Sequence, residues 1–344
     1  MEITKFDAIS NFFKGNPSDA LLWYLDFDLK WIANCPAHIR EWVDLAADLG
    51  CTWPIIWFGG YKEEFDSTAN YREYRADDKL VKEWHTPVGS LHSRIKYNHP
   101  VEYTIKTIDD CRVLKYIYEH TLTYKNEQPH QPFHGVSLST SPVQQLLQYE
   151  MGLETFYTLL MTDTHAVEQL MDTMQQKQME RTSLVCQFEI PMIYQGENTS
   201  STMISPEYYK KYSLPQIKQQ ADFIHSKDKT IILHMCGLLH HLLPAIKQTG
   251  INGIHSVTPP PVGDTEFSEV YDTFGGCFPI QGRFGSTQWY NLDEKEIVKN
   301  LSYILPVGSW RQRPFVLLVT LDGVLAEYEQ LKRLARIIRE FGSK

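Results

Sequence analysis

The sequence predicts an α/β fold: a (β/α)8 TIM barrel that carries an inserted β-hairpin after its second strand. Eight short runs of β-branched and aromatic residues recur along the chain, and stretches with helical spacing of apolar residues lie between them. Strands that alternate with helices are typical of a parallel sheet, and eight repeats of the unit favour a closed barrel.

The predicted strands are the β-branched and aromatic runs, taken in chain order. They span residues 21–27, 53–58, 133–139, 191–195, 230–234, 253–257, 278–281 and 315–320. The amphipathic stretches between them predict helices over residues 37–49, 152–160, 165–186, 206–225, 238–249, 293–305 and 325–341.

Local signals support several of these boundaries. Ser205, Pro206 and Glu207 supply an N-cap, a proline at the first helical position and an early acid. Gly250 closes the helix predicted to end just before it. Pro215 lies inside a predicted helix and is expected to kink it.

Residues 61–128 break the alternation. Residues 84–89 followed by 92–97 are expected to form the β-hairpin inserted after the second strand. The chain has no low-complexity linker and no internal repeat, so residues 1–344 are expected to form a single domain.

The composition argues against nucleic acid and anionic membrane as partners. The chain has 33 basic and 42 acidic residues, a formal net charge of −9, and no basic block that would supply a positive field. Its longest strongly apolar run, residues 315–321, is too short for a membrane helix, and its start does not resemble a signal peptide. Six scattered cysteines indicate a reducing compartment, so a cytoplasmic location is expected.

In a barrel, side chains at the carboxyl ends of the strands and in the loops that follow face the active site. Polar residues at these positions are therefore expected to converge on one mouth. They are Asp26 and Asp28 after the first strand, Glu197 and Asn198 after the fourth, His234 and Cys236 at the fifth, His255 and Thr258 after the sixth, Arg283 after the seventh, and Asp322 after the eighth.

His234 and Cys236 form the sharpest motif. Residues two apart on a strand point to the same face, so the imidazole and the thiol are presented together. Both are ordinary zinc ligands, and a catalytic zinc has three protein ligands and one open position. By position, Asp322 is the predicted third ligand, and Glu197 is the competing donor.

Each of these residues also has a purely structural interpretation. Buried cysteine is common in protein cores, so packing alone would account for His234 and Cys236. Glu197 is equally suited to capping the loop or helix that follows it, and Asp322 to forming a turn before a glycine.

Several segments, taken in order, resemble the uroporphyrinogen decarboxylase superfamily, and the resemblance covers nearly the whole chain. They are Ile-Ser-Pro-Glu-Tyr-Tyr at 204–209, Ile-Leu-His-Met-Cys-Gly at 232–237, Gly-Asp at 263–264, Leu-Asp-Gly-Val at 321–324, and the opening Gly-Asn-Pro-Ser-Asp at 15–19. The resemblance implies a (β/α)8 barrel, in agreement with the strand count.

The superfamily has two branches, and the strand ends distinguish them. True decarboxylases carry an arginine-rich loop for the carboxylates of the substrate, whereas the corresponding segment here reads Leu-Asp-Phe-Asp-Leu-Lys at 25–30, whose aspartates would repel a polycarboxylate. The other branch comprises zinc-dependent corrinoid methyltransferases with a His-x-Cys…Cys ligand pattern. His234 and Cys236 match its first two ligands, and Asp322 stands where the late cysteine is expected.

The resemblance therefore implies a metal-dependent methyltransferase. It would move a methyl group between a corrinoid and either a small methylated substrate or a thiol or folate acceptor. Zinc would be held by His234, Cys236 and Asp322, with Glu197 in a catalytic position and one of Asp26 and Asp28 orienting the substrate. The corrinoid is expected on a separate partner protein, because the chain leaves no room for a cobalamin-binding domain, and a homodimer is compatible with the resemblance.

Three other functions stay open from the sequence. The first is uroporphyrinogen decarboxylase, a porphyrinogen carboxy-lyase of tetrapyrrole biosynthesis. The second is a metal-free lyase or hydrolase that uses Glu197 and Asp322 as acid and base. The third is a barrel that binds a corrinoid or a methylated metabolite without turnover.

Overall fold

The computed structural model describes residues 5–26, 35–40, 42–52, 57–127, 135–190 and 192–344. The strands in these ranges are β1 (Leu22–Asp26), β2 (Trp57–Phe58), β3 (Tyr61–Phe65), β4 (Arg72–Ala76), β5 (Lys79–Thr86), β6 (Gly89–Lys96), β7 (His99–Glu102), β8 (Leu122–Asn126), β9 (Gly135–Leu138), β10 (Met192–Gln195), β11 (Thr230–His234), β12 (Gly253–Val257), β13 (Ile280–Phe284) and β14 (Phe315–Thr320).

The α-helices of the same ranges alternate with the later strands. They are α1 (Lys5–Phe13), α2 (Trp42–Leu49), α3 (Ile108–His120), α4 (Pro142–Gln145), α5 (Gly152–Thr162), α6 (Thr164–Val185), α7 (Pro206–Tyr208), α8 (Leu214–His225), α9 (Leu243–Lys247), α10 (Phe267–Phe274), α11 (Glu294–Ile304) and α12 (Tyr328–Gly342). Within the described ranges, every helix falls short of the length or apolarity needed to cross a bilayer.

Eight strands form one parallel sheet in the order β1-β14-β13-β12-β11-β10-β9-β2. The last strand of the chain, β14, pairs with the first, β1, so that Leu22 lies opposite Val316 and Asp26 opposite Thr320. This order is that of a TIM-like barrel, so the predicted α/β class is confirmed. Because the strands are parallel, the carboxyl ends of all eight lie at the same end of the sheet.

Most predicted strand positions agree with the structure, but the seventh is shifted. The sequence predicts it over 278–281, whereas it runs from Ile280 to Phe284. Pro279 has no N–H to donate, so the ladder begins at the residue after it. Residues 27, 53–56, 133–134 and 191 of the predicted strands lie outside the described residues.

The helix expected over 238–249 is also wrong in extent, because only Leu243–Lys247 is helical. Side chains from neighbouring loops take the backbone N–H groups before it. Ser200 Oγ accepts from the N–H of Leu238 at 3.2 Å, and Asp264 Oδ1 accepts from that of Leu239 at 2.8 Å. These bonds hold the loop after β11 in a non-helical conformation, so the helix begins only at Leu243.

The predicted kink near Pro215 takes the form of a wider helical turn. Residues Tyr209–Ser213 form a π-helical turn between α7 and α8, directly before Pro215. Proline cannot donate to the preceding turn, and π-turns are a common way to absorb such an interruption.

The segment after β2 folds into more than the single hairpin that the sequence predicts. Strands β4 to β7 form a four-stranded antiparallel sheet in chain order, and β3 pairs antiparallel with β8. Helix α3 lies between β7 and β8 in the sequence and contacts β6 and α6. We call residues 61–126 the insertion, since they separate the second and third strands of the parallel sheet.

The hydrophobic core includes strands whose two faces are both buried. All five residues of β12 and all six of β14 are buried, as expected for the centre of a parallel sheet. Helix α12 buries Leu331, Leu334 and Ile338, which lie three or four positions apart on one face. The sheet is therefore a rigid platform for the residues at its carboxyl ends.

Candidate functional site

The candidate site lies at the carboxyl ends of the parallel strands, where three residues have a strained backbone. Asn198, Ser256 and Asp322 have φ values of 47°, 68° and 50°, in the left-handed region that non-glycine residues rarely adopt. They follow or lie in β10, β12 and β14. The register of β12 against β13 shifts between His255 and Val257, so Ser256 is the irregular residue in that strand. Such strain is often found at functional sites.

A chain of buried hydrogen bonds crosses the interior of the sheet to this mouth. The Tyr24 hydroxyl donates to Oε1 of Gln281 at 2.7 Å and lies 2.7 Å from Nε2 of His255. Nδ1 of His255 lies 2.7 Å from Nδ1 of His234. The ring of Tyr194 stands perpendicular to that of His255, with centroids 5.2 Å apart, and supports it.

Both histidines of this chain are uncharged at neutral pH. Burial lowers the pKa of His234 to about 4, helped by Arg283, and lowers the pKa of His255 well below its ordinary value, so both rings are neutral at pH 7. With Oε1 of Gln281 accepting from Tyr24, the Tyr24 oxygen is placed to accept from Nε2–H of His255. In that tautomer Nδ1 of His255 accepts from Nδ1–H of His234, and Nε2 of His234 has a lone pair; the opposite orientation of the Gln281 amide reverses the whole chain.

Cys236 lies beside His234, as the two-residue spacing predicts. Both side chains are half-buried, and Cys236 Sγ lies 3.6 Å from Oδ1 of Asn198. Burial raises the pKa of the Cys236 thiol, while the charge of Arg283 opposes that shift. A Cβ on Gly237 would lie 2.4 Å from the carbonyl oxygen of Thr199, so the loop after β10 is pressed against the residue that follows Cys236.

Glu197 is fully buried beneath the mouth. Its carboxylate accepts from the N–H of Ser141 at 2.8 Å, from the Ser141 hydroxyl, and from Nε2 of Gln195 at 3.1 Å. Burial raises its pKa to about 7 against these hydrogen bonds. The structure thus places Glu197 as the link between the loops after β9 and β10, enclosed by protein atoms.

Asp26 ends β1 at the rim of the mouth. Its residue surface is exposed, but the protein around the carboxylate removes enough water to raise its pKa to about 6. Arg283 lowers this pKa and Asp322 raises it. An acid with a pKa near the working pH is suited to proton transfer. The predicted Asp28 lies outside the described residues.

Asp322 is held by three donors. Its Oδ1 accepts from the Thr320 hydroxyl at 2.8 Å and from Nη2 of Arg283, and its Oδ2 accepts from the N–H of Ser286 at 2.8 Å. Burial raises its pKa, but these donors outweigh burial and hold the pKa below its usual range. Asp322 is therefore the charged partner of Arg283.

The predicted zinc ligands are not gathered into a metal site in this arrangement. Over the described ranges, no group of three or more histidine, cysteine, aspartate or glutamate side chains has metal-binding geometry. His234 and Cys236 are presented together, but the oxygens of Asp322 are occupied and a guanidinium lies on them. The set of three therefore does not fit zinc as arranged, and the ligand assignment stays a prediction.

Sequence reasoning did not predict the hydrogen bonds that support the site. Tyr24 could be placed near the mouth, because it lies two positions before Asp26 on the same strand face, but its bonds to His255 and Gln281 could not. The bond between Ser141 and Glu197 joins residues 56 apart, in loops that only the sheet brings together.

A cavity of about 530 Å³ lies between the insertion and the carboxyl ends of β9 and β10. Phe65, Tyr71 and Trp84 form an aromatic cluster on its outer side, with ring centroids 4.7 to 6.2 Å apart. Gly196 and Tyr149 line the cavity next to the mouth, and Tyr149 also contacts the amide of Asn198. The cavity therefore adjoins the site that contains Cys236.

Comparison with known proteins gives a family and a fold. Residues 92–319 match the family described as uroporphyrinogen decarboxylase (URO-D). The chain is similar to a solved methyltransferase from Methanosarcina mazei, with 13% identity, a TM-score of 0.61 and coverage of 99% of each chain. At this identity the likeness shows the fold alone. No curated protein gives a significant match.

A solved D-psicose 3-epimerase, studied in the presence of D-fructose, also matches. It shares 10% identity over 67% of this chain and 91% of that chain, but its TM-score of 0.32 is too low to support an argument.

The family match includes His234, Cys236 and Arg283, but begins after Asp26 and ends before Asp322. It spans more than half of the 344 residues, and the parallel sheet is the one that the resemblance implied. The chain therefore belongs to the uroporphyrinogen decarboxylase family.

Proposed function

We propose that the protein is a methyltransferase that handles a small methylated substrate, or a methyl acceptor, at the mouth of its barrel. The observation that carries this proposal is the pairing of the neutral imidazole of His234 with the thiol of Cys236 two residues later. Family membership and the fold shared with the Methanosarcina mazei methyltransferase support it. The strand order supports a closed (β/α)8 barrel in which β1 and β2 are neighbours.

The residues of the chain would orient the substrate and manage a proton. Removing a methyl group leaves a heteroatom that takes up a proton, and the reverse direction releases one. Asp26, with a pKa of about 6, is suited to exchange that proton with the substrate at the rim. Burial keeps His234 neutral, and the hydrogen bonds from Gln281 through Tyr24 and His255 hold its ring in a fixed orientation.

Zinc and corrinoid are parts of the proposal that only the resemblance implies. A corrinoid carried by a partner protein would exchange the methyl group, and zinc would activate a thiol or polarise a heteroatom. Because the three predicted donors are not gathered here, none of the roles above depends on zinc. Glu197 is proposed to position the loops around the mouth.

Methyl transfer can be tested with free cobalamins. Methylcobalamin is offered with thiol and tetrahydrofolate acceptors, and reduced cobalamin with small methylated donors, while the visible spectrum is followed. We expect turnover with at least one pair, and a loss of about 100-fold or more in His234→Ala and Cys236→Ala. Cys277→Ala is the matched control, because Cys277 is exposed and lies away from the mouth.

Two results would contradict the proposal. One is the absence of turnover with every pair, and the other is full activity in both variants. Incubation with uroporphyrinogen, followed by detection of decarboxylated product, would instead establish the carboxy-lyase activity that gives the family its name.

A further inference from the structure

Arg283 lies at the mouth, and only one edge of its guanidinium group makes hydrogen bonds within the described residues. Its Nε donates to the Thr320 hydroxyl at 3.2 Å, and its Nη2 donates to Asp322. These two donors form one edge of the planar group. The other edge, formed by Nη1 and the second N–H of Nη2, has no partner among the described residues, although the side chain is only 19% exposed.

The bonded edge of Arg283 competes with any metal for Asp322. Both carboxylate oxygens of Asp322 already accept hydrogen bonds, and a Cβ on Gly285 would come within 2.9 Å of Oδ2. A zinc ion on Asp322 would have to displace a cation from a half-buried ion pair. The mouth thus already contains a fixed positive charge at the position where the sequence predicts zinc.

We infer that Arg283 replaces the metal as the resident cation and that its open edge binds a carboxylate of the substrate beside Cys236. A guanidinium edge with two parallel N–H groups matches the two oxygens of a carboxylate. Arg283 lies in β13, and His234 ends β11 with Cys236 two residues later, so only β12 separates them at the carboxyl end of the sheet. In agreement with this placement, the charge of Arg283 acts on the pKa values of both His234 and Cys236. The inference deepens the proposed function at the same site, but its test does not require methyl transfer.

The balance of charge at the mouth favours a single carboxylate over a polycarboxylate. Asp322 neutralises part of the Arg283 charge, and Asp26 at the rim is a like charge to any anion. One anionic group can reach the open edge while the rest of the substrate extends away from Asp26.

The test uses the Cys236 thiol as a local reporter. Iodoacetate and iodoacetamide alkylate the same thiolate, but only iodoacetate carries a carboxylate. The rates of both reactions at Cys236 are measured by peptide mass spectrometry. Both depend on the same fraction of thiolate, so their ratio does not depend on it and reports how strongly the surroundings of Cys236 attract an anion. Exposed Cys277 in the same sample is the internal control.

We expect the iodoacetate-to-iodoacetamide ratio at Cys236 to fall about threefold or more in Arg283→Met, and to be largely retained in Arg283→Lys. The ratio at Cys277 should be the same in all three proteins. An unchanged ratio at Cys236 in Arg283→Met, with circular dichroism showing a folded variant, would overturn the inference.

A zinc titration on anaerobically purified protein, with a coloured competing chelator, gives an independent result. Wild type should bind no zinc tightly at the mouth. Arg283→Met should gain a site, because Asp322 is released to join His234 and Cys236, and the double variant with Asp322→Ala should lose it.

One tight equivalent of zinc in wild type, lost in His234→Ala and Cys236→Ala, would overturn the inference and leave the methyltransferase proposal intact. In that case, loss of zinc in Asp322→Ala or in Glu197→Ala would identify the third ligand.

Discussion

At the level of single residues, the site is organised by neutral hydrogen-bonding groups in the interior and by charges at the rim. Tyr24, His255 and His234 form one continuous hydrogen-bonded chain that begins at the side chain of Gln281. Asp26, Asp322 and Arg283 supply the charges. The hydrogen-bonded residues in the interior hold the site in a fixed geometry, whereas the charged residues at the rim respond to pH and to the charge of a ligand.

Tyr24→Phe should destabilise the protein by about 1–3 kcal/mol, because the change leaves His255 and Gln281 buried without their shared partner. Urea unfolding measures the loss. Tyr290→Phe is the matched control, since its hydroxyl makes only an exposed contact of 3.5 Å with the Leu325 carbonyl, and it should stay within about 0.5 kcal/mol of wild type. An equal effect of the two changes would argue against a continuous hydrogen-bonded chain through Tyr24.

Asp26→Asn should stabilise the protein in a pH-dependent manner. The folded-state pKa of about 6 lies above the ordinary 3.8, so the charged carboxylate costs stability, and the stability of wild type falls as pH rises from about 4 through 6. The variant should therefore be the more stable protein above pH 6 and equal to wild type below about pH 4. Unfolding curves across this range measure the difference, and a gap that is constant with pH would refute the explanation.

At the level of secondary-structure elements, the site depends on how closely the loops after adjacent strands pack. The Ser141–Glu197 bonds join the loop after β9 to that after β10, and Gly237 brings the loop after β10 against that after β11. Three neighbouring strand ends are therefore connected in series. A shift in one loop would be transmitted to Cys236.

Gly237→Ala should test this connection. Its added Cβ would lie 2.4 Å from both the Thr199 carbonyl oxygen and Ser200 Cβ, and a clash with backbone costs about 1–3 kcal/mol. We expect reduced stability and an altered alkylation rate at Cys236. Gly276→Ala is the control, because a Cβ at that position would have no described atom within 4 Å beyond its chain neighbours. Identical behaviour of the two variants would show that the loops are not in close contact.

The local parts of the site were predictable from the sequence, whereas its long-range partners were not. His234 and Cys236 share a face because of strand periodicity, which any strand obeys. The pairing of Arg283 with Asp322 arises because β13 and β14 are adjacent and their ends align, which places residues 39 apart in contact. Sequence reasoning located both side chains at the mouth but could not show that they pair, and the assignment of Asp322 to a metal stays a prediction.

At the level of the whole molecule, the insertion is fastened to the barrel by a buried cation. Arg181 of α6 lies between Tyr61 and Tyr124, with its guanidinium 5.1 and 5.4 Å from their ring centroids, and 3.5 Å from Glu63. The side chain is only 6% exposed. One residue of the barrel thus contacts both strands of the β3–β8 sheet.

Arg181→Met should loosen the insertion while leaving the barrel folded. Loss of the cation–π contacts and of the ion pair is expected to cost about 1–3 kcal/mol. Limited proteolysis should then cut preferentially within residues 61–126. Lys177→Met is the control on the same helix, because among the described residues Lys177 pairs only with Glu180 one turn away, and the change should leave the cleavage pattern unchanged. Cleavage spread evenly over the chain would contradict this account.

The cavity between the insertion and the barrel has a consequence for how this family can diversify. Its outer wall is encoded by residues 61–126 as one continuous stretch, whereas the reactive side chains come from strand ends elsewhere in the chain. Changes in the shape of the cavity can therefore accumulate in one segment without disturbing the strand ends at the mouth. A chimaera that exchanges only this stretch with a relative should change the lining of the cavity while leaving the hydrogen bonds of the candidate site in place.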